Sequence, residues 1–142
     1  MLKNVPSLLT PALLTCLAEM GHGDVIAVVD SNYPCYTRGN RVIELPGVDA
    51  ATAIEAILTL MPLETFTEPA VVHMLADDGS EGAALAGVRE VWNRLDGREV
   101  PELGVLRHGP DGFYARAERA YVTVHTSESA PFGCYLLVKG VL

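Results

Sequence analysis

The chain has 142 residues, 49% of them hydrophobic and 20% charged, which suits one compact domain with a full core and argues against disorder. A formal net charge of −8, from 10 Lys and Arg against 18 Asp and Glu, argues against a nucleic-acid or anionic-membrane partner, since both need a basic surface. It says little about a neutral ligand such as a sugar.

Pro6, Pro11 and then Glu19 interrupt the apolar opening, which excludes a signal-peptide pattern. No run of about 18 apolar residues is long enough for a transmembrane helix. Cys16, Cys35 and Cys134 have neither paired nor metal-ligating spacing and read as reduced thiols of a cytoplasmic protein.

The first predicted helix opens at Thr10, a hydroxyl N-cap, with Pro11 at the first helical position. Leu13, Leu14, Leu17, Ala18 and Met20 follow at helical spacing, and Gly21 is a natural stop. "DVIAVVD" (24–30) is a short β-branched apolar run bounded by aspartates, the pattern of a strand covered on both faces. A second strand is expected at 41–46. A helix over 48–61 has Asp49 as its cap, and "AVVHMLA" (70–76) repeats the buried-strand pattern.

The segment 80–97 reads as a helix ended by Gly97, and "LRHGPDG" as a loop presenting Arg107 and His108. A short helix over 111–120 and strands at 121–126 and 134–140 complete the chain. Strands alternating with helices predict an α/β fold: a single layered domain spanning 1–142, with a mainly parallel sheet flanked by helices. Such sheets bind ligands outside the carboxyl ends of their strands. Asp30, Ser31, Asn32 and Tyr33 stand there after the first strand, and Thr126, Ser127 and Glu128 after a later one.

His22, between Gly21 and Gly23, precedes the first strand and so lies at the opposite end from Asp30. A site holding both needs more than one sheet edge, or more than one subunit. Histidine, with an unperturbed pKa of about 6.5, gives and takes protons near neutrality. By spacing alone, His22 is equally a loop residue beside a helix end. Asp24 either orients the imidazole or simply caps the strand. Asp30 is an acid/base partner, a sugar-hydroxyl ligand or an ordinary Asx turn.

His73 and His125, inside apolar strands, read as core or interface histidines. Four histidines at no metal-ligand spacing predict no metal. The absence of GxGxxG, Walker and GxSxG patterns predicts neither a nucleotide cofactor nor a serine nucleophile.

"EMGHGDVIAVVDSNYP" (19–34) resembles the GHGD-(strand)-D-x-x-(F/Y)-P signature of the D-ribose pyranase and L-fucose mutarotase family. The opening residues, "GFYARAERAYVTVHTSE" and "LLVKGV" are similar to that family in turn. The "FYARA" helix favours the fucose branch, and coverage is close to the full chain. The resemblance implies interconversion of sugar anomers by acid/base-assisted ring opening and closure, without cofactor or metal. His22 and Asp30 are then the catalytic pair, and Tyr114 a wall or hydrogen-bonding residue.

It also implies a ring-shaped homo-oligomer, a decamer, with sites shared between adjacent subunits. The family's late Tyr-(Gly/Ala)-Asn motif falls on "FGC", so Phe132 and Cys134 occupy the places of a phenol and an amide. Each lost polar contact is worth roughly 1 kcal/mol or more. The basic residue expected before the Phe-Tyr pair falls on Pro110, with Arg107 or His108 as substitutes. Two alternatives to an L-fucose-type mutarotase follow: a sugar-binding or regulatory homologue without catalysis, and a mutarotase for another sugar.

Overall fold

The computed structural model describes residues 2–39, 41–67, 69–95 and 103–142. Six strands form a mixed sheet in the order β2-β5-β1-β6-β3-β4, with β1 Val25–Val29, β2 Val42–Leu45, β3 Val71–Leu75, β4 Leu103–Arg107, β5 Val122–Thr126 and β6 Tyr135–Val138. Five strands point one way. Only β6 opposes its neighbours, pairing antiparallel with β1 (Ala27↔Leu136) and with β3 (Val72↔Leu136). The carboxyl ends of the parallel strands and the start of β6 therefore share one edge.

β1 is buried on both faces because its side chains alternate. Ile26 and Val28 join one core with α1 (Pro11–Glu19), α3 (Ala50–Leu58) and α4 (Leu85–Leu95). Ala27 and Val29 join a second with α2 (Cys35–Arg38) and α5 (Phe113–Ala117). Ile26, Ile54 and Leu137 are fully buried, and truncating any one to Ala costs about 2–5 kcal/mol.

α1 begins as its sequence predicts, with Thr10 Oγ1 accepting from the Leu13 amide at 3.2 Å. α3 is capped by Asp49, whose carboxylate accepts from the Thr52 amide at 2.7 Å.

Two elements depart from the sequence expectation. The segment 80–97 is not helical from its start, because Ser80 closes a turn on Ala76 and Glu81 bridges Leu75, so α4 begins only at Leu85. Its expected stop, Gly97, lies outside the described residues. β4 forms where only a loop was expected before Arg107 and His108, added to the edge of the sheet beside β3. Among the described residues, no helix is long and apolar enough to cross a membrane.

Candidate active site

A cavity of about 220 Å³ opens at the carboxyl edge of the sheet, lined by Asp30, Tyr33, His108, Tyr114, Phe132 and Cys134 among others. Asp30 arrives from the end of β1, His108 from just beyond β4, Tyr114 from α5, and Cys134 from the residue before β6. Because β6 runs antiparallel, its start meets the ends of the others. The topology thus collects residues more than a hundred positions apart.

Asp30 is buried, and its carboxylate is held from two sides. The Asn32 amide donates to Oδ1 at 2.9 Å, an Asx turn, and the Cys134 thiol donates to Oδ2 at 3.4 Å. The Asp30 amide in turn donates to Cys134 Sγ at 3.5 Å. Burial, and next the Asp30 carboxylate, push the Cys134 thiol well above its ordinary range, so it stays protonated and remains a donor.

Phe132 has a φ of 61°, a left-handed conformation that costs a non-glycine residue on the order of 1–3 kcal/mol. Its loop is braced by Glu128, whose carboxylate accepts from the amides of Ala130 at 2.8 Å and Ala50 at 3.4 Å. The Glu128 carbonyl also accepts from the Ser31 amide at 2.9 Å, fastening this loop to the one after Asp30.

α5 approaches β4 closely because residue 112 is glycine. A Cβ there would lie 2.1 Å from the Arg107 carbonyl oxygen. This contact sets Tyr114 beside His108, with ring centroids 6.3 Å apart. Tyr114 also meets Tyr33 edge-on at 5.4 Å and carries the Arg38 guanidinium over its face at 4.6 Å. His108 Nδ1 is 2.9 Å from Asp77 Oδ1.

Burial, then the neighbouring Cys134, raise the Tyr33 phenol above its ordinary range, and its hydroxyl has no hydrogen-bond partner among the described residues. A buried hydroxyl left so costs about 1–3 kcal/mol. Cys35, beneath it, is pushed up to about 12, chiefly by burial.

Two of the residues expected from sequence stand elsewhere. Arg107 does not line the cavity. As the last residue of β4 it turns to the neighbouring loop, where its guanidinium donates to the Asp77 carbonyl at 3.3 Å. His22 stands at the amino end of β1, on the opposite edge of the sheet.

The turn carrying His22 is closed by the Asp24 carboxylate, which accepts from the Gly21 amide at 2.7 Å, and by Gly23 at a φ of 84°. Asp24 therefore caps the turn rather than the imidazole. The imidazole meets Glu64, with His22 Nε2 hydrogen-bonded to Glu64 Oε2, and Phe66 lies edge-on to the ring at a centroid distance of 6.0 Å. The His22 side chain is 48% exposed and that of Glu64 only 2%.

Glu64 Oε1 accepts from the amides of Thr65 at 2.7 Å and Phe66 at 2.6 Å. The Phe66 amide, and then His22, hold the Glu64 carboxyl below its ordinary range despite its burial. Sequence reading passed over Glu64. "PLETF" has no periodicity, and the acid's role depends on a contact with a residue 42 positions away.

His73 is buried within β3, and burial keeps its pKa below the ordinary histidine value. His125 pairs with Glu44 on the neighbouring strand at 2.9 Å. A larger groove of about 360 Å³, lined by Leu58, Met61, Leu63, Trp92 and Leu95 among others, offers no titratable side chain among the described residues. Asp30 with its cavity and His22 with Glu64 thus stand at the two ends of β1.

Comparison with known proteins places the chain among relatives of one family and fold. The model of the RbsD / FucU transport protein family matches residues 3–142. The fucose mutarotase of Bos taurus is 38% identical over 145 residues, covering 99% of this chain and 94% of the relative. The crystal structure of the fucose mutarotase from Streptococcus pneumoniae in complex with L-fucose is 32% identical, with a TM-score of 0.89 and 99% of each chain covered. That of FucU from Bifidobacterium longum is 30% identical, again with a TM-score of 0.89 and 99% of each chain covered.

Proposed function

The chain belongs to the RbsD / FucU family, and from that premise we propose that it is an aldose mutarotase of the L-fucose type. It is an isomerase that interconverts α and β anomers by opening and reclosing the sugar ring. Opening takes the proton from the anomeric hydroxyl and gives one to the ring oxygen; reclosure on the other face reverses both transfers. A positioned acid/base pair is sufficient chemistry for this.

The observation that carries the reading is the cavity gathering Asp30, His108, Tyr114, Phe132 and Cys134. Asp30 offers its carboxylate to sugar hydroxyls or as a proton partner. His108 and the Tyr114 phenol are further polar contacts, and Phe132 forms an apolar wall. His22 is the principal acid/base group. Since it lies across the sheet from its own cavity, it serves the cavity of an adjacent copy in a ring-shaped homodecamer. The enzyme works in the cytoplasm.

Phe132 favours a second reading at the level of specificity. It lines the cavity without filling it, which argues for redirected substrate preference rather than lost catalysis. A less hydroxylated or differently configured sugar than L-fucose suits such a wall.

Anomer-exchange NMR on L-fucose, D-ribose and D-galactose tests the proposal. Exchange should rise in proportion to protein concentration, most strongly for L-fucose. Buffer-level rates for all three would overturn it, and saturable binding without acceleration would instead identify a non-catalytic sugar-binding homologue.

A further inference from the structure

We propose that the Asp30 cavity selects sugars that carry an amine, binding a cationic amino-deoxy sugar in preference to its hydroxyl counterpart and excluding acidic sugars. This names the substrate class of the mutarotase site and rests on that reading. Asp30 is 4% exposed, and its carboxylate has two partners, the Asn32 amide at Oδ1 and the Cys134 thiol at Oδ2. Both are neutral donors. A carboxylate offers about four acceptor positions, so each oxygen keeps one for a ligand, and a buried carboxylate gains most from a cation.

Among the described residues, nothing on the wall of the cavity supplies that cation to Asp30. No lysine or arginine lines it. Arg107 turns to the Asp77 carbonyl, and Arg38 is paired with Glu118 at 2.6 Å. His108 is the one histidine on the wall, and its Nδ1 already meets Asp77 Oδ1 at 2.9 Å. With Asp30 and Asp77 both lining the cavity, even a protonated His108 leaves it negative.

The balance of donors and acceptors favours the same ligand. The Cys134 thiol and the Asn32 amide are engaged by Asp30, and one imidazole nitrogen by Asp77. The wall is therefore richer in acceptors than in donors. An ammonium group is its complement, with three donors and no acceptor. The rings of Tyr33, Tyr114 and Phe132 line the same cavity, and a desolvated aromatic ring attracts a cation over its face. Tyr114 already holds the Arg38 guanidinium in this way, at 4.6 Å. The amine takes no part in ring opening; it holds the sugar while protons move at the anomeric and ring oxygens.

Anomer-exchange NMR on matched sugars tests this, comparing L-fucose with its 2-amino-2-deoxy and 3-amino-3-deoxy forms below the pKa of the amine. At least one amino form should have a KM at least about fivefold below that of L-fucose. Taken as a ratio to L-fucose at the same pH, the advantage should disappear as the amine loses its proton. D-galacturonate, the anionic control, should exchange at the buffer rate. In Asp30→Asn, followed by calorimetric binding, the preference for the amino form should be lost.

No advantage in either amino form, or one that persists once the amine is neutral, would overturn the proposal. So would a preference retained in Asp30→Asn, or acceleration of D-galacturonate equal to that of D-galactose. Should the wild-type protein leave every sugar at the buffer rate, L-fucose included, the mutarotase reading fails and wild-type binding decides the selectivity. Tighter binding of an amino form than of L-fucose then upholds it, and equal or weaker binding overturns it.

Discussion

His22 and Asp30 lie at opposite ends of the same strand, with the whole of β1, Val25–Val29, between them. At about 3.3 Å per residue, that strand alone separates them by roughly 16 Å, several times the reach of a direct proton transfer. Asp30 is surrounded by the cavity residues of its own chain, whereas His22 faces outward beside the exposed ring of Phe66. A sugar that touches both must sit between two copies.

Within the cavity, His108 and Arg107 should separate cleanly. His108 lines the wall, and Arg107 turns to the Asp77 carbonyl. His108→Ala is expected to raise KM for the sugar severalfold, up to about tenfold, as loss of a hydrogen bond worth about 0.5–1.5 kcal/mol does. Arg107→Ala should change it by less than about threefold, as read from initial rates of anomer exchange.

Cys134 is the only side chain seen donating to the Asp30 carboxylate among the described residues. Cys134→Val removes that donor at similar volume and should lower stability in urea by on the order of 1 kcal/mol. Cys134→Ser, which keeps a donor, should lose less. Equal losses in the two variants would mean that packing, rather than the hydrogen bond, is the contribution of Cys134.

Tyr33 carries a buried hydroxyl without a hydrogen-bond partner among the described residues. Removing such a group leaves nothing else unsatisfied, so Tyr33→Phe should leave the unfolding midpoint unchanged or raised by up to a few degrees. A marked loss in the midpoint would reveal a hydrogen bond to the phenol in solution.

His73 should confer a pH dependence on stability. Burial holds its imidazole below the ordinary histidine value, with Glu81 and Arg89 as the charged groups acting on it. Between the folded and unfolded pKa values the unfolded chain binds more protons, so stability rises with pH across that window. The contribution is full above about 6.5 and is lost as the pH falls through the folded value. Thermal unfolding of His73→Leu should therefore fall less steeply than wild type between about pH 7 and pH 5.

Much of this was legible in residues that act locally. "DVIAVVD" states its own burial on both faces, and Thr10-Pro11 and Asp49 state their helix starts. The strand-end position of Asp30 places it at the ligand edge of a parallel sheet before any coordinates are known. The Gly-flanked His22 was readable as a turn residue, and its location on the far edge followed from the same strand.

The unread parts depend on distant partners. β4 was read as a loop because Leu103–Arg107 is a short edge strand with Gly104 inside it and Val105 exposed, so it lacks a buried-strand pattern. Glu64 became visible only when the chain brought it beneath His22. The Cys134 thiol acquires its role from the antiparallel course of β6, which delivers it to a carboxylate 104 positions earlier.

The claim that one copy's His22 serves another copy's Asp30 cavity is tested most directly by subunit mixing. His22→Ala and Asp30→Ala proteins, each inactive alone, are dissociated and reassembled in equal amounts, and L-fucose anomer exchange is measured by NMR. If the two residues come from different copies, random assembly leaves about one quarter of the interfaces with both groups intact, and exchange should return to about that fraction of wild type. Reassembled mixtures that remain at the buffer rate, while wild-type protein taken through the same cycle is active, would contradict the account.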